Sequence, residues 1–265
     1  MVKVDLLIID PQKDFCNPDG ALFVPGADDD CVRLATMLKR VKKKVNDIHV
    51  TLDTHHLFDI AHPLFWINDK GEHPTPIMPI TVDDVKNGVW KPTVPTMQER
   101  ARKYVEELEK NNRYILLIWF PHCLIGSPGA AIQEDVYKAL TEWEEERIAF
   151  VDYVTKGSNF WTEHYSAVKA DVPDPSDPST QLNINLINTL QDVEMIGISG
   201  QARSHCVANT IRDIADNFGE DNIHKFVLLE DTCSDVPGFE NLGEDFVKEM
   251  VARGMRLSKS TDFLA

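Results

Sequence analysis

The chain has no long apolar run, no closely spaced cysteine pair and too few basic residues to balance its acidic ones. No stretch approaches the roughly 20 apolar residues that a membrane-spanning helix needs, which excludes that class of protein. The opening segment MVKVDLLIIDPQKDF has only about seven apolar-leaning residues before Asp10, too few for the core of a secretion signal, so a cytoplasmic protein is expected. The five cysteines, Cys16, Cys31, Cys123, Cys206 and Cys233, are odd in number and widely spaced, with no CxxC. They read as free thiols rather than a disulfide framework. Lys and Arg number 27 against 43 Asp and Glu, a formal charge of -16. That charge repels phosphate backbones and anionic lipid surfaces, so neither nucleic acid nor a membrane is expected as a partner.

What is present is alternation. Apolar runs bounded by turn residues occur at 4–9, 49–52, 114–120, 148–154, 194–199, 226–229 and, weakly, 255–257. These read as strands. Stretches with helical spacing lie between them, at 31–45, 97–110, 131–146, 182–190, 205–218 and 240–253. Strand following helix in this way predicts an α/β fold with a mainly parallel sheet and helices on both faces. With 265 residues and 43% hydrophobic content, one domain spanning 1–265 is expected. Two segments break the rhythm. Residues 54–95 are rich in proline, with two tryptophans and four histidines, and read as an extended loop insertion that serves as a lid, a binding loop or a structural excursion. Residues 171–180, DVPDPSDPST, read as an exposed loop.

Five chemically loaded residues, Asp10, Asp53, His122, Lys156 and Cys206, fall at or just after the ends of expected strands. In an open α/β sheet the carboxyl ends of the strands line one crevice, so residues 200 positions apart can converge there. Cys206 opens the helical stretch CVANTIRDIADNF, where the positive end of the helix dipole favours thiolate. Lys156 could lower the thiol pKa further, and Asp10 could take and return its proton. Taken singly, each has an ordinary reading: a buried cysteine acting as a small hydrophobe, a surface lysine, a turn aspartate before Pro11. Asp14 fits a turn role or one orienting its neighbours. Asp53 and His55 sit two apart after a strand, and with His122 they would complete a facial set of metal ligands. His62 is a further candidate ligand, His56 and His73 are expected to be exposed, and His205 is expected to be structural.

These residues resemble the cysteine hydrolases of the isochorismatase-like superfamily, and within it the nicotinamidases. The resemblance spans nearly the whole chain and rests on IIDPQKDFC, DTH, WFPHCLIGSPGA, the lysine of VTKGSNF and GISGQARSHCV. It implies a three-layer, Rossmann-like α/β fold with a six-stranded sheet. It further implies Cys206 as nucleophile, Asp10 as general base and acid, and Lys156 as the cation supporting the thiolate. Asp53, His55 and His122 would hold a divalent metal, zinc by the family pattern, that positions a pyridine ring. Phe15 and Trp119 would clamp that ring, Ala202 would contribute to an oxyanion site beside a cis peptide from Gln201, and Tyr165 would close the pocket or serve as a core tyrosine.

The implied activity is hydrolysis of nicotinamide to nicotinic acid and ammonia through a cysteine thioester, a step of NAD salvage. Two alternatives stay open: a related cysteine hydrolase acting on another small amide, and a non-catalytic metal-binding protein on the same fold. The family often self-associates, which leaves a homo-oligomer open. The 54–95 segment is longer than the family's usual Asp-x-His-Pro connection and is expected beside the pocket, where it could alter substrate choice.

Overall fold

The computed structural model describes residues 2–110 and 114–265. Six strands form one wholly parallel sheet: β1 (Val4–Ile9), β2 (Asp47–Asp53), β7 (Asp152–Lys156), β8 (Met195–Gly200), β9 (Phe226–Leu229) and β10 (Arg256–Ser258). Their order is β10-β9-β8-β1-β2-β7. Every residue of β1 is buried, as a central strand covered on both faces requires. Helices α2 (Ala27–Val41), α7 (Ala208–Phe218) and α8 (Glu240–Ala252) make the crossovers. The α2 connection moves one way along the strand order and those of α7 and α8 the other. Right-handed crossovers therefore put α2 and α7/α8 on opposite faces. Helix α5 (Glu134–Arg147) packs on α2, and α6 (Ile184–Gln191) packs on α7. The chain reverses direction between β1 and β8, a topological switch point whose carboxyl end is the favoured crevice of such sheets.

Two expectations are corrected. The run at 114–120 does not enter the main sheet. Only β6 (Leu116–Leu117) is extended, pairing antiparallel with β4 (Pro79–Ile80). The strand expected at 148–154 begins later, because Ile148 closes α5 in a left-handed conformation and the Glu144 side chain accepts from the Val151 N–H. Lys156 is consequently the last residue of β7 rather than a residue beyond it.

The 54–95 excursion is structured. It carries β3 (Trp66–Ile67) paired with β5 (Lys91–Pro92), strand β4, and the short helix α3 (Val82–Lys86) packed on α4 (Gln98–Lys110). A capping box at Thr81 and Asp84 starts α3, and Ile60, Phe65, Trp66 and Ile80 anchor the segment in the core. The remaining helix, α1 (Lys13–Cys16), is a single turn after β1. Within residues 171–180 the two ends, Asp171 and Thr180, are buried while the middle is largely exposed. All five cysteines are free and buried. Among the described residues no helix is long and apolar enough to cross a membrane.

Candidate active site

At the end of β1 the chain turns sharply, with Asp10 at φ 47°, a conformation that aspartate tolerates better than most residues. Thr51 on β2 fixes it there. The Asp10 N–H donates to the Thr51 carbonyl and hydroxyl at 3.2 and 3.1 Å, and the hydroxyl donates to Asp10 Oδ1 at 2.5 Å. Gln12 clamps the end of β2, accepting from the Asp53 N–H and donating to the Asp53 carbonyl, both at 2.7 Å. Parallel register sets Lys156 beside Asp53. Its ammonium lies 3.1 Å from Asp10 Oδ2 and donates to Asp53 Oδ1 at 2.9 Å. The next residue, Gly157, has φ +84°, and a Cβ there would stand 2.8 Å from Asp53 Oδ1. Only glycine lets the chain leave β7 so close to this carboxylate.

Cys206 arrives from β8. Gly200 passes so near Ile9 that a Cβ would meet its carbonyl at 2.0 Å, and the peptide between Gln201 and Ala202 is cis, as the resemblance implies. Residues Arg203–Val207 then form one wide π-helical turn before α7. Cys206 thus lies within this turn instead of opening α7, a placement that helical spacing alone does not reveal. Its sulfur is 3.7 Å from the Lys156 ammonium, the same ammonium that lies 3.1 Å from Asp10 Oδ2.

Electrostatics qualify the expectation of a standing thiolate. Burial pushes the Cys206 thiol well up; Lys156 pulls it down, while Asp10 and Asp53 push it up again. Burial also raises Asp10, against the pull of Lys156. Burial alone would raise Asp53, but His55 and Lys156 hold its carboxyl well below the usual carboxylate range. Burial alone would lower Lys156, but Asp10 and Asp53 hold its ammonium well above its ordinary value. The resting centre is a charged lysine between two aspartates, next to a thiol.

Beside it, one ligand atom each from Asp53, His55 and His122 lies within 4.8 Å of the others, and all three residues are buried. The two imidazoles are pre-set. His55 Nδ1 bonds Asp59 Oδ2 at 3.1 Å and His122 Nδ1 donates to the Phe120 carbonyl at 2.7 Å, so both Nε2 atoms turn toward Asp53 Oδ2, at 3.1 and 3.3 Å. Such partners on the far nitrogen are the usual support of metal-binding histidines. His62 behaves alike. Its Nδ1 donates to the His56 carbonyl at 3.0 Å, its Nε2 is buried without a partner, and its ring lies 5.1 Å from that of His55 and 5.6 Å from that of His122. Burial and the two neighbouring histidines push its pKa down to about 2, so it stays neutral. One carboxylate, two oriented imidazoles and a third orphaned imidazole nitrogen are a donor set that fits a borderline divalent cation such as zinc. His56 and His73 are exposed.

A narrow cavity of about 30 Å³ opens onto both centres, and Phe15, Trp119, Tyr165, Ala202, Asp53, His122 and Cys206 all line it. Asp10, Lys156 and His55 stand behind this wall. Tyr165 accepts from the Trp119 indole N–H at 2.7 Å, which sets the angle of that ring. His205 also lines the cavity, edge-on to Trp119 at 5.3 Å, and burial lowers its pKa to about 4. The described wall of the cavity contains no residue of the 54–95 segment. Sequence reasoning missed Thr51 and Gln12, which act through hydrogen bonds between the ends of β1 and β2, Asp59, which bonds His55 within the loop after β2, and Glu163, which lines the cavity. Asp14 proves to orient neighbours, accepting from the Cys123 and Ala21 N–H groups at 2.7 and 3.0 Å.

No protein-family model matches the chain, and no curated protein matches it in sequence. Solved structures do match. A nicotinamidase/pyrazinamidase of Acinetobacter baumanii superimposes with a TM-score of 0.66 at 19% identity, covering 99% of each chain. The yeast nicotinamidase bound to the inhibitor nicotinaldehyde gives 0.66 at 16% identity, over 97% of this chain and 99% of that one. A Pyrococcus horikoshii pyrazinamidase in complex with zinc gives 0.56 at 20% identity, over 97% and 99%. The shared architecture, found also in an isochorismatase family protein, is the isochorismatase-like α/β fold.

Proposed function

We propose that the protein is an amidohydrolase that converts nicotinamide to nicotinic acid and ammonia through a thioester on Cys206. The observation that carries the reading is the single buried ammonium of Lys156 touching Asp10, Asp53 and Cys206 together. Nucleophile, proton carrier and supporting cation are thereby within reach of one another at the floor of an aromatic-walled cavity. Structural neighbours that are nicotinamidases and pyrazinamidases support it.

In this mechanism a flat heteroaromatic ring lies between Phe15 and Trp119. Asp10 takes the Cys206 proton as the sulfur attacks the carboxamide carbon, and the Lys156 ammonium offsets the charge on sulfur. Backbone N–H groups of Ala202 and Cys206 receive the oxyanion. Asp10 returns the proton to the departing ammonia, leaving a thioester, and then draws a proton from the water that hydrolyses it. Asp53, His55 and His122 would hold a divalent metal, with His62 as a fourth donor. The metal, when bound, would act as a Lewis acid that anchors the ring nitrogen. A cytoplasmic place in NAD salvage belongs to the same reading, and a second small amide remains the alternative substrate.

The test is ammonia release from nicotinamide by the purified protein, with Cys206→Ala as control and zinc measured on the same sample. Release that vanishes in the variant is expected. No release from folded, zinc-loaded protein, with turnover of another carboxamide in a panel, would replace nicotinamide by that amide.

A further inference from the structure

Strand β7 is the last of the main sheet on its side and pairs with β2 alone. In a parallel ladder a residue turns both its N–H and its C=O to one neighbour, and the next residue turns them the other way. The Lys156 carbonyl accepts from the Thr54 N–H at 2.9 Å, so Lys156, Val154 and Asp152 face β2. The backbone groups of Tyr153 and Thr155 therefore face outward, and among the described residues nothing bonds them. The open stretch ends there, because the Val151 N–H is taken by the Glu144 side chain at 2.8 Å and the Gly157 N–H by His164 at 3.0 Å. Natural sheets blunt such an edge with lysine, proline or a bulge. Residues 148–155 hold no lysine and no proline, and the register with β2 runs unbroken. They carry instead Ile148 and Phe150, 90% and 80% exposed, and an exposed Tyr153. Alongside runs an open groove of about 610 Å³ between β7 and the start of α6, where Ile184 is also exposed. Asp152 is the one charged residue lining that groove, and it is tied to His49 at 2.8 Å.

We propose that this edge is a dimer interface, in which β7 pairs antiparallel with β7 of a second copy of the chain about a twofold axis at Val154. That register sets Tyr153 opposite Thr155 of the second copy, and Thr155 opposite its Tyr153. Each pair exchanges two backbone hydrogen bonds, so every outward group is satisfied. Centring the axis on Tyr153 or Thr155 would instead oppose an open residue to Val151 or Gly157, whose N–H groups are already bonded. The contact is isologous, as in most soluble dimers. Charge selects the occupant. A chain of formal charge -16 repels its own copy over much of its surface, and an uncharged edge is where two copies can meet with least repulsion. A basic partner would find a single carboxylate here, already paired. A second copy brings matching apolar side chains at Ile148, Phe150 and Tyr153, an exposed group of the kind that marks protein contacts.

The experiment weighs the full chain by sedimentation velocity across protein concentration and salt, for the wild type, Tyr153→Lys and Phe150→Glu, with far-UV circular dichroism to check that each is folded. The wild type should move with concentration from 30.0 kDa to twice that mass. It should do so more readily as salt rises, because added ions screen the repulsion between copies. Each variant puts like charges on both sides of the axis and should stay at 30.0 kDa. Hydrogen exchange of the wild type is a second measurement that needs no variant: the Tyr153 and Thr155 amides should slow at concentrations where the dimer forms. A wild type that stays at 30.0 kDa throughout overturns the proposal, and protection of the same amides by an added extended peptide would then assign the edge to a segment of another protein. A dimer that survives in both folded variants, that loosens as salt rises, or that leaves the Tyr153 and Thr155 amides unprotected lies elsewhere on the molecule and overturns it too.

Discussion

Replacing Lys156 by methionine removes the one charge that the two aspartates and the nucleophile share, while keeping most of the side chain's length and volume. At the 3.7 Å separation of Nζ and Sγ, an effective dielectric of about 20 gives roughly 4 kcal/mol of attraction between ammonium and thiolate. Because the ammonium already holds Asp10 at 3.1 Å before attack, only the part specific to the transition state raises the barrier, so a loss of about a thousandfold in kcat/KM, the whole of that attraction, is the ceiling. The fold should also suffer, because breaking a buried pair strands an uncompensated charge at a cost of about 3–5 kcal/mol. For a chain of this size that is a fall in Tm on the order of 10 °C. The pH dependence has a sign. Asp53 is held below its ordinary value in the folded protein, so it contributes stability above the unfolded carboxylate pKa of about 3.9 that is lost as pH falls through the folded value. Without Lys156 that contribution weakens. The Tm gap between Lys156→Met and wild type should be widest near neutral pH and narrow as pH falls below about 4, where protonated carboxyls need no cation. Thermal melts across pH and ammonia release at neutral pH read both effects. A variant that keeps wild-type turnover, or whose Tm gap is flat across this range, refutes the assigned role.

His122→Ala should lower zinc stoichiometry sharply and His62→Ala less so, read by metal analysis of the purified variants; unchanged zinc in His122→Ala would move the ligand set toward His62. At the opposite end of the sheet, His49 lies 2.8 Å from Asp152 Oδ2 and 3.6 Å from Asp5 Oδ2. Burial alone would lower its pKa, but these two carboxylates raise it. Its contribution to stability is therefore complete below the unfolded pKa of about 6.5 and lost as pH rises through the folded value. The Tm advantage of wild type over His49→Gln should shrink on the alkaline side of neutrality, and an advantage that grows there would contradict the arrangement.

The sheet and most helices were legible because their periodicity is strong, and because a parallel strand buried on both faces, such as β1, reads as a continuous apolar run. The run at 114–120 looked the same. It failed as a main-sheet strand because apolar character reports burial, and burial there comes from packing against the 54–95 excursion, through β4 and β6. The internal order of that excursion leaves no mark in the sequence for a related reason: its ribbons are two residues long and pair across 24 to 38 positions, leaving no local period to detect. In the site, residues that carry charge or ligate were visible by type and by position at strand ends. Thr51, Gln12 and Asp59 were not, because their importance lies in hydrogen bonds to a residue distant in sequence or turned by the fold. Glu163 sits in the motif-poor stretch after Lys156 and becomes conspicuous only when its unmatched oxygen is seen.

The thiol of Cys206 illustrates why a sequence pattern for activation differs from an activated group. Helix position and a nearby lysine both argue for thiolate, yet desolvation and two aspartates argue the other way. Were Cys206 ionised beside charged Asp10 and Asp53, three negative charges would surround one ammonium. Moving the proton from Cys206 to Asp10 instead leaves the buried charge at two negative and one positive before and after, so the step relocates charge without adding any to the low-dielectric interior. Burial raises both partners of the exchange, the carboxyl and the thiol, and Lys156 touches both. The lysine can therefore follow the negative charge from oxygen to sulfur and back. On the proposed mechanism, that makes the thiolate a species formed with the substrate in place rather than one held in waiting, and it explains why Asp10, Lys156 and Cys206 are needed as a unit.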